Sequence, residues 1–94
     1  MKYIANENFI LREVAEEKIL VPRGEEAIDF GAMVVFNETG ILIWESLSTP
    51  KTFSEIVKVV TEKYNVTFEE VADDISTFLV RAVKEGFILE AEEA

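Results

Sequence analysis

The sequence contains neither cysteine nor histidine, and these two absences exclude several kinds of protein chemistry. Without cysteine there is no disulfide framework, no thiolate nucleophile and no zinc ribbon. Without histidine the chain lacks the commonest general base, the commonest metal ligand and every catalytic triad that uses an imidazole. The composition therefore argues against an enzyme and favours a binding or accessory protein, for which we expect no cofactor and no metal.

Basic residues are also scarce. Nine lysines and arginines stand against 19 aspartates and glutamates, which gives a formal net charge of −10. A nucleic-acid-binding protein needs a cationic surface to displace counterions. Anionic lipid headgroups repel a negatively charged chain. We therefore expect neither nucleic acid nor a membrane as a partner.

Long apolar runs are missing as well. The longest runs, Met33–Phe36 and Ile41–Trp44, fall far short of the roughly 20 residues that span a bilayer. At the N-terminus, Asn6 and Glu7 interrupt the chain before an apolar stretch is long enough for a signal peptide. These features predict a cytoplasmic location.

The chain has enough apolar residues to form a core. Its 94 residues are 49% hydrophobic, which suits one folded domain and leaves no room for a second core. We expect a single domain over residues 1–94, with its core at about residues 9–89. The acidic C-terminal tail, residues 90–94, is expected to be frayed and solvated.

Apolar and β-branched residues in the first third of the chain predict strands. Phe9–Val14 and Lys18–Val21 have this composition, and the charged connector Ala15–Glu17 between them suits a hairpin turn. Pro22 lacks a backbone donor and should end the second strand. Met33–Phe36 predicts a third strand, which completes an N-terminal three-stranded antiparallel sheet.

The remainder of the chain has the sequence signals of helix ends. Asn37 is a predicted N-cap, and Thr52–Glu55 and Thr67–Glu70 have the pattern of a capping box. Gly86 is well placed to end the third helix, and Phe87–Leu89 suits one last short strand. The predicted class is α+β, with a winged helix-turn-helix-like arrangement of the sheet followed by three helices.

A helix-turn-helix most often reads DNA, but the charge of its second helix argues against that use here. The stretch Phe68–Glu85 carries five acidic and two basic residues and contains no asparagine or glutamine. Major-groove recognition relies on basic and amide side chains. A winged-helix transcriptional regulator therefore stays the alternative, as does a structural subunit of a larger enzyme.

One motif is more specific than the hydrophobic pattern around it. Asn37–Gly40 has the sequence Asn-Glu-Thr-Gly and begins a helix that contains Trp44. The capping box of the second helix follows at Thr52. With it go Phe9–Glu13, Val21–Pro22, Phe36, Leu47, Thr52, Glu55–Val57, Tyr64, Val66, Asp74–Ile75, Phe78–Leu79 and Gly86–Ile88. In these residues, from about Phe9 to Leu89, the chain resembles the PqqD-like family, also called the precursor-peptide recognition element.

The resemblance implies a fold and a function. Members have a winged-helix-like fold and bind the leader of a ribosomally made precursor peptide, which they present to a modifying enzyme, often a radical S-adenosylmethionine enzyme. The leader adds as a strand to the third strand of the sheet, beside the third helix. By resemblance these elements are Met33–Phe36 and about Phe68–Lys84. The pathway, whether that of pyrroloquinoline quinone or of another peptide product, stays open.

The resemblance places a peptide-binding site between this strand and this helix. We expect Phe78 to form part of the groove floor, and Asp74 and Arg81 to contact leader side chains from a rim stripe that also holds Thr77. The alternative is that Phe78 is simply core and that Asp74 and Arg81 pair with each other. The open strand edge could also pair two copies of the chain as a homodimer. The predicted site residues are Met33, Val34, Val35, Phe36, Asp74, Thr77, Phe78 and Arg81.

Overall fold

The computed structural model describes residues 1–23, 34–35 and 37–91. The described strands are β1 (Lys2–Ala5), β2 (Phe9–Val14), β3 (Glu17–Pro22), β4 (Val34–Val35) and β5 (Ile88–Ala91), and the described helices are α1 (Glu38–Ser46), α2 (Phe53–Tyr64) and α3 (Phe68–Glu85). The predicted α+β class, with antiparallel strands before three helices, is confirmed. Of the predicted third strand, Met33 and Phe36 lie outside the described residues.

The first sheet has the strand order β2-β3-β4. β2 and β3 form a hairpin whose register runs from Phe9 opposite Pro22 to Val14 opposite Glu17. The connection is therefore two residues long, Ala15 and Glu16, rather than the predicted three. β4 pairs antiparallel with β3, and in the described part of the chain β3 is the only strand that pairs with it. Among the described strands, β4 therefore lies at the edge of this sheet.

A second sheet was not predicted. β1 pairs antiparallel with β5, from Lys2 opposite Ala91 to Ala5 opposite Ile88. The prediction that the tail frays from residue 90 is wrong for Glu90 and Ala91, because both lie in β5. A four-residue strand gives too short a pattern to recognise, and its partner lies at the other end of the chain.

The helix ends follow the sequence signals. The Oδ1 atom of Asn37 accepts a hydrogen bond from the backbone N–H of Gly40 at 2.8 Å, so the predicted N-cap of α1 is confirmed. Thr52–Glu55 and Thr67–Glu70 both form complete capping boxes at the starts of α2 and α3. Asn65 ends α2 in the left-handed conformation, with φ 54°. Local sequence therefore determines where each helix begins.

The core lies where the three helices meet the strands. Among the described residues, the largest side chains that are essentially inaccessible to solvent are all aliphatic: Leu20, Ile43, Leu47, Ile56, Val57, Val60, Ile75, Leu79 and Ile88. No polar or charged side chain of the described residues is buried. Phe9 and Phe87 pack edge to face with ring centroids 5.2 Å apart, which joins the first hairpin to the segment after α3. Both sheets are thereby attached to one hydrophobic core.

Candidate functional site

A groove lies where the start of α1, the end of α2 and the first three turns of α3 approach one another. Its volume is about 380 Å³. Its lining residues are Asn37, Thr39, Gly40, Ile43, Val60, Tyr64, Val66, Val71, Asp74, Ile75 and Phe78. We call this the helical groove. Its size lies within the usual range for ligand pockets, roughly 300–1,000 Å³, and accommodates one or two large side chains.

The tight connection between α2 and α3 produces this groove. Only Asn65, Val66 and Thr67 separate the two helices, so α3 must turn sharply away from α2. Val71, Ile75 and Phe78 recur at the spacing of one helical face and line the groove from α3. Ile75 is buried, whereas Phe78 is only half-buried and packs against the core cluster. Phe78 thus belongs both to the edge of the core and to the wall of the groove.

The edge strand β4 also leads to the helical groove. Asn37 follows the last residue of β4, Val35, by two positions, and it both caps α1 and lines the helical groove. An edge strand presents unpaired backbone N–H and C=O groups on its outer side. β4 therefore offers a template for strand addition, and its C-terminal end runs toward the apolar groove.

The helical groove is largely apolar, with one charged group. Among the described lining residues, Asp74 is the only aspartate, glutamate, lysine or arginine. Its side chain is exposed, and Asn37, Thr39 and Tyr64 provide the remaining polar atoms of the side chains. The arrangement suits an apolar side chain with a polar or charged neighbour.

The structure divides the predicted site residues on α3 into two groups. Asp74 and Phe78 line the helical groove, whereas Thr77 and Arg81 line a separate shallow depression on the same helix. Arg81 is about 10.5 Å further along the helix axis than Asp74, at 1.5 Å per residue. Its Nε lies 3.6 Å from Oε1 of Glu85. Arg81 therefore pairs with Glu85, and the alternative in which it pairs with Asp74 is wrong.

The predicted strand residues are only partly described. Val34 and Val35 form β4 as expected, and Met33 and Phe36 lie outside the described residues. Sequence reasoning did not assign Thr39, Tyr64 or Val66 to a site, although all three line the helical groove. The signal for them was the short α2–α3 connection, which brings the end of α2 close to the first turns of α3.

The described residues lack both a cluster of carboxylates for a metal ion and a membrane-spanning helix. They contain no group of three or more Asp or Glu side chains placed to hold a metal ion. None of their helices is both long and apolar enough to cross a bilayer. What they do combine is an open strand edge and an apolar groove, which together can hold an extended polypeptide.

These elements define a class of protein: a winged-helix-like domain in which the strand at the edge of the described sheet is followed, two residues later, by a residue that lines a groove of three helices. The family model for coenzyme PQQ synthesis protein D (PqqD) matches residues 11–88. The chain therefore belongs to the PqqD family, which confirms the membership indicated by the Asn-Glu-Thr-Gly motif.

A solved structure has the same fold. It is TbiB1 in complex with the TbiA(beta) leader peptide, which superimposes with a TM-score of 0.71 at 19% sequence identity. The alignment covers 96% of this chain and 99% of that one. A comparison with curated proteins found no match to this chain.

Proposed function

We propose that this protein is a non-catalytic recognition domain that binds the leader segment of a ribosomally synthesised precursor peptide. The observation that carries the proposal is the edge strand β4, whose C-terminal end runs toward the helical groove. Membership of the PqqD family supports it, and so does the structural relative, which is described as a complex with a leader peptide.

In this proposal the leader pairs its backbone with the outer edge of β4. Main-chain hydrogen bonds supply affinity, and alternate side chains of the added strand point to one face, where the helical groove selects them. Ordering a disordered leader costs about 2–5 kcal/mol, so binding in the micromolar range is expected. The contacts on α3 would come from Phe78 and Asp74.

The bound leader would then be presented to a peptide-modifying enzyme, for which a radical S-adenosylmethionine enzyme is our proposal. The recognition domain itself supplies neither cofactor nor catalytic group. The whole reaction would take place in the cytoplasm, where ribosomal precursor peptides are made. The strong negative charge of the chain and of α3 opposes the alternative of a DNA-binding regulator.

Binding can be tested with the precursor peptides encoded beside the gene. Fluorescently labelled leaders titrated with the full chain should give saturable binding. Strand addition further predicts a two-residue period: N-methylation of every second leader amide removes hydrogen bonds to β4, and N-methylation of the intervening amides is tolerated.

Two outcomes would contradict the proposal. One is the absence of saturable binding by every neighbouring peptide, and the other is an N-methyl scan without alternation. The oligomeric state of the protein is measured in the same samples, because a homodimer formed through β4 would hide the edge and weaken apparent affinity. A gel shift with DNA at low salt separates this function from that of a regulator.

A further inference from the structure

We infer that the helical groove selects peptides in which a lysine or arginine accompanies an apolar anchor residue, with Asp74 as the residue that reads the positive charge. The inference rests on the proposed function and names the chemistry of the peptide. It makes Asp74 a specificity-determining residue and leaves the backbone pairing at β4 unchanged.

The position of Asp74 is suited to this role. It precedes buried Ile75 by one residue and half-buried Phe78 by four, so its carboxylate stands at the border of the apolar lining. Lysine and arginine side chains lay their methylene stems along apolar surface and place the charged head at its edge. A stem in the groove would bring its head to Asp74.

The carboxylate of Asp74 also has no partner among the described residues. On the same helix, Glu70 accepts hydrogen bonds from Thr67, and Glu85 pairs with Arg81. No hydrogen bond or ion pair joins the side chain of Asp74 to any residue of the described chain, and this side chain is exposed at the groove. Its charge is therefore available to a ligand at no cost to the fold.

The surface next to the helical groove also carries a net negative charge. Asn37 and Tyr64 line both the helical groove and a second cleft, between the β2–β3 turn and α1. The other residues of this acidic cleft are Glu16, Glu17, Lys18, Glu38, Ile41, Leu42, Glu45 and Lys63, four acids against two bases. A cationic peptide that continues past Tyr64 is attracted there, whereas an acidic one is repelled.

The experiment uses a phage-displayed library of random peptides selected on the full-length protein. We expect the enriched peptides to carry a lysine or arginine beside an apolar residue. Selection on Asp74→Asn should lose this preference, and Asp74→Lys should select aspartate or glutamate instead. The matched control is Asp73→Asn, because Asp73 is the exposed neighbour of Asp74 on α3 and lines no part of the groove.

Titrations of one enriched peptide make the test quantitative. Asp74→Asn should weaken its binding about three- to fivefold at low ionic strength, the range of an exposed ion pair, and high salt should reduce the difference. Replacing the peptide's basic residue by glutamine should have the same effect, and combining both changes should add little. Thermal unfolding verifies that each variant is folded.

The outcomes separate the two proposals. Enriched peptides without basic residues, or equal binding by Asp74→Asn and Asp73→Asn, would overturn the role of Asp74 and leave leader recognition intact. If the library yields no binding peptide and the precursor peptides encoded beside the gene do not bind either, the proposed function itself is overturned.

Discussion

Asn6 forms hydrogen bonds that connect the β1–β2 turn to the end of α3. Its Nδ2 donates to the carbonyl of Gly86 at 2.8 Å, and its backbone N–H donates to the carbonyl of Phe87 at 2.9 Å. Its Oδ1 accepts from the backbone N–H of Asn8 at 2.9 Å. Gly86 itself ends α3 with φ 86°, as its position in the sequence predicts. One side chain thus fixes the β1–β2 turn against the end of α3.

Replacing Asn6 should therefore destabilise the fold without touching the groove. We expect Asn6→Ala to lower the free energy of unfolding by about 1–3 kcal/mol, since it leaves partly buried polar groups unpaired. Asn6→Asp keeps the acceptor for Asn8 but loses the donor to Gly86, and should also destabilise. Urea unfolding measures both, with the exposed Asn8→Ala as control; equal stability of Asn6→Ala and the control would contradict the role.

Glu55 gives the stability of α2 a pH dependence. Hydrogen bonds from the backbone and side chain of Thr52 lower the pKa of Glu55 below its ordinary 4.5, with a smaller contribution from the charges of Lys2 and Lys51. Because the folded pKa is the lower one, the stabilisation is complete above pH 4.5 and is lost as the pH falls through the folded pKa.

Glu55→Gln should remove this pH dependence, because glutamine can complete the capping box but does not titrate. Free energies of unfolding measured by urea should fall less steeply below pH 4.5 for the variant than for the parent. The difference well below the folded pKa is the control, since Glu55 is protonated there and both side chains are uncharged. Parallel profiles for the two proteins would show that the carboxylate contributes nothing.

Among the elements, the β2–β3 hairpin has an unusual turn. Ala15 has φ 50° and Glu16 has φ 71°, so both central residues adopt the positive φ that a type I′ turn requires. Asparagine and glycine are the usual residues there, because other L-residues lose about 1–2 kcal/mol in this region. The strands on either side, rather than the turn residues, therefore impose the geometry.

A better turn should stabilise this hairpin. Ala15→Asn combined with Glu16→Gly relieves the strain at both positions, and we expect a gain of about 1 kcal/mol in the free energy of unfolding. Glu16→Ala is the control, because it removes the same charge and keeps a side chain at positive φ. Thermal and urea unfolding measure the stability of both variants. If Glu16→Ala is as stable as the double variant, the gain comes from the lost charge and not from relief of backbone strain.

At the scale of the whole molecule, the two ends of the chain close the fold. β5 pairs with β1, and Tyr3 in β1 also exchanges backbone hydrogen bonds with Lys51 in the α1–α2 connection, at 2.7 and 3.0 Å. Ile88 is fully buried, and Leu89 beside it is 45% exposed. The C-terminal strand is therefore part of the core that holds the helices around the groove.

Neighbouring substitutions in β5 test this arrangement. Ile88→Ala should cost about 2–5 kcal/mol, because it leaves a cavity in the core, and Leu89→Ala should cost much less. Calorimetry of the full chain measures both losses. Leu89→Ala is the matched control, because Leu89 is the exposed neighbour of Ile88 in the same strand. A similar, small loss from both variants would mean that β5 is only loosely attached.

The sequence by itself determined the local structure. The cap at Asn37 and the capping boxes Thr52–Glu55 and Thr67–Glu70 are signals within four residues, so they can be recognised without knowing what the helix packs against. The β2–β3 hairpin is similarly local, and Pro22 ends its second strand. Family membership also followed from the sequence, because the Asn-Glu-Thr-Gly motif and the apolar pattern extend over most of the chain.

Only the tertiary structure decided which distant segments meet. The pairing of β1 with β5 joins residues at opposite ends of the chain, and four-residue strands carry too little pattern to predict a partner. Helical periodicity placed Asp74 and Arg81 on one stripe, but the groove extends along α3 only as far as Phe78, so Asp74 lines it and Arg81 does not. The extent of a groove depends on the angle and contact length between helices, which packing determines and residue spacing does not.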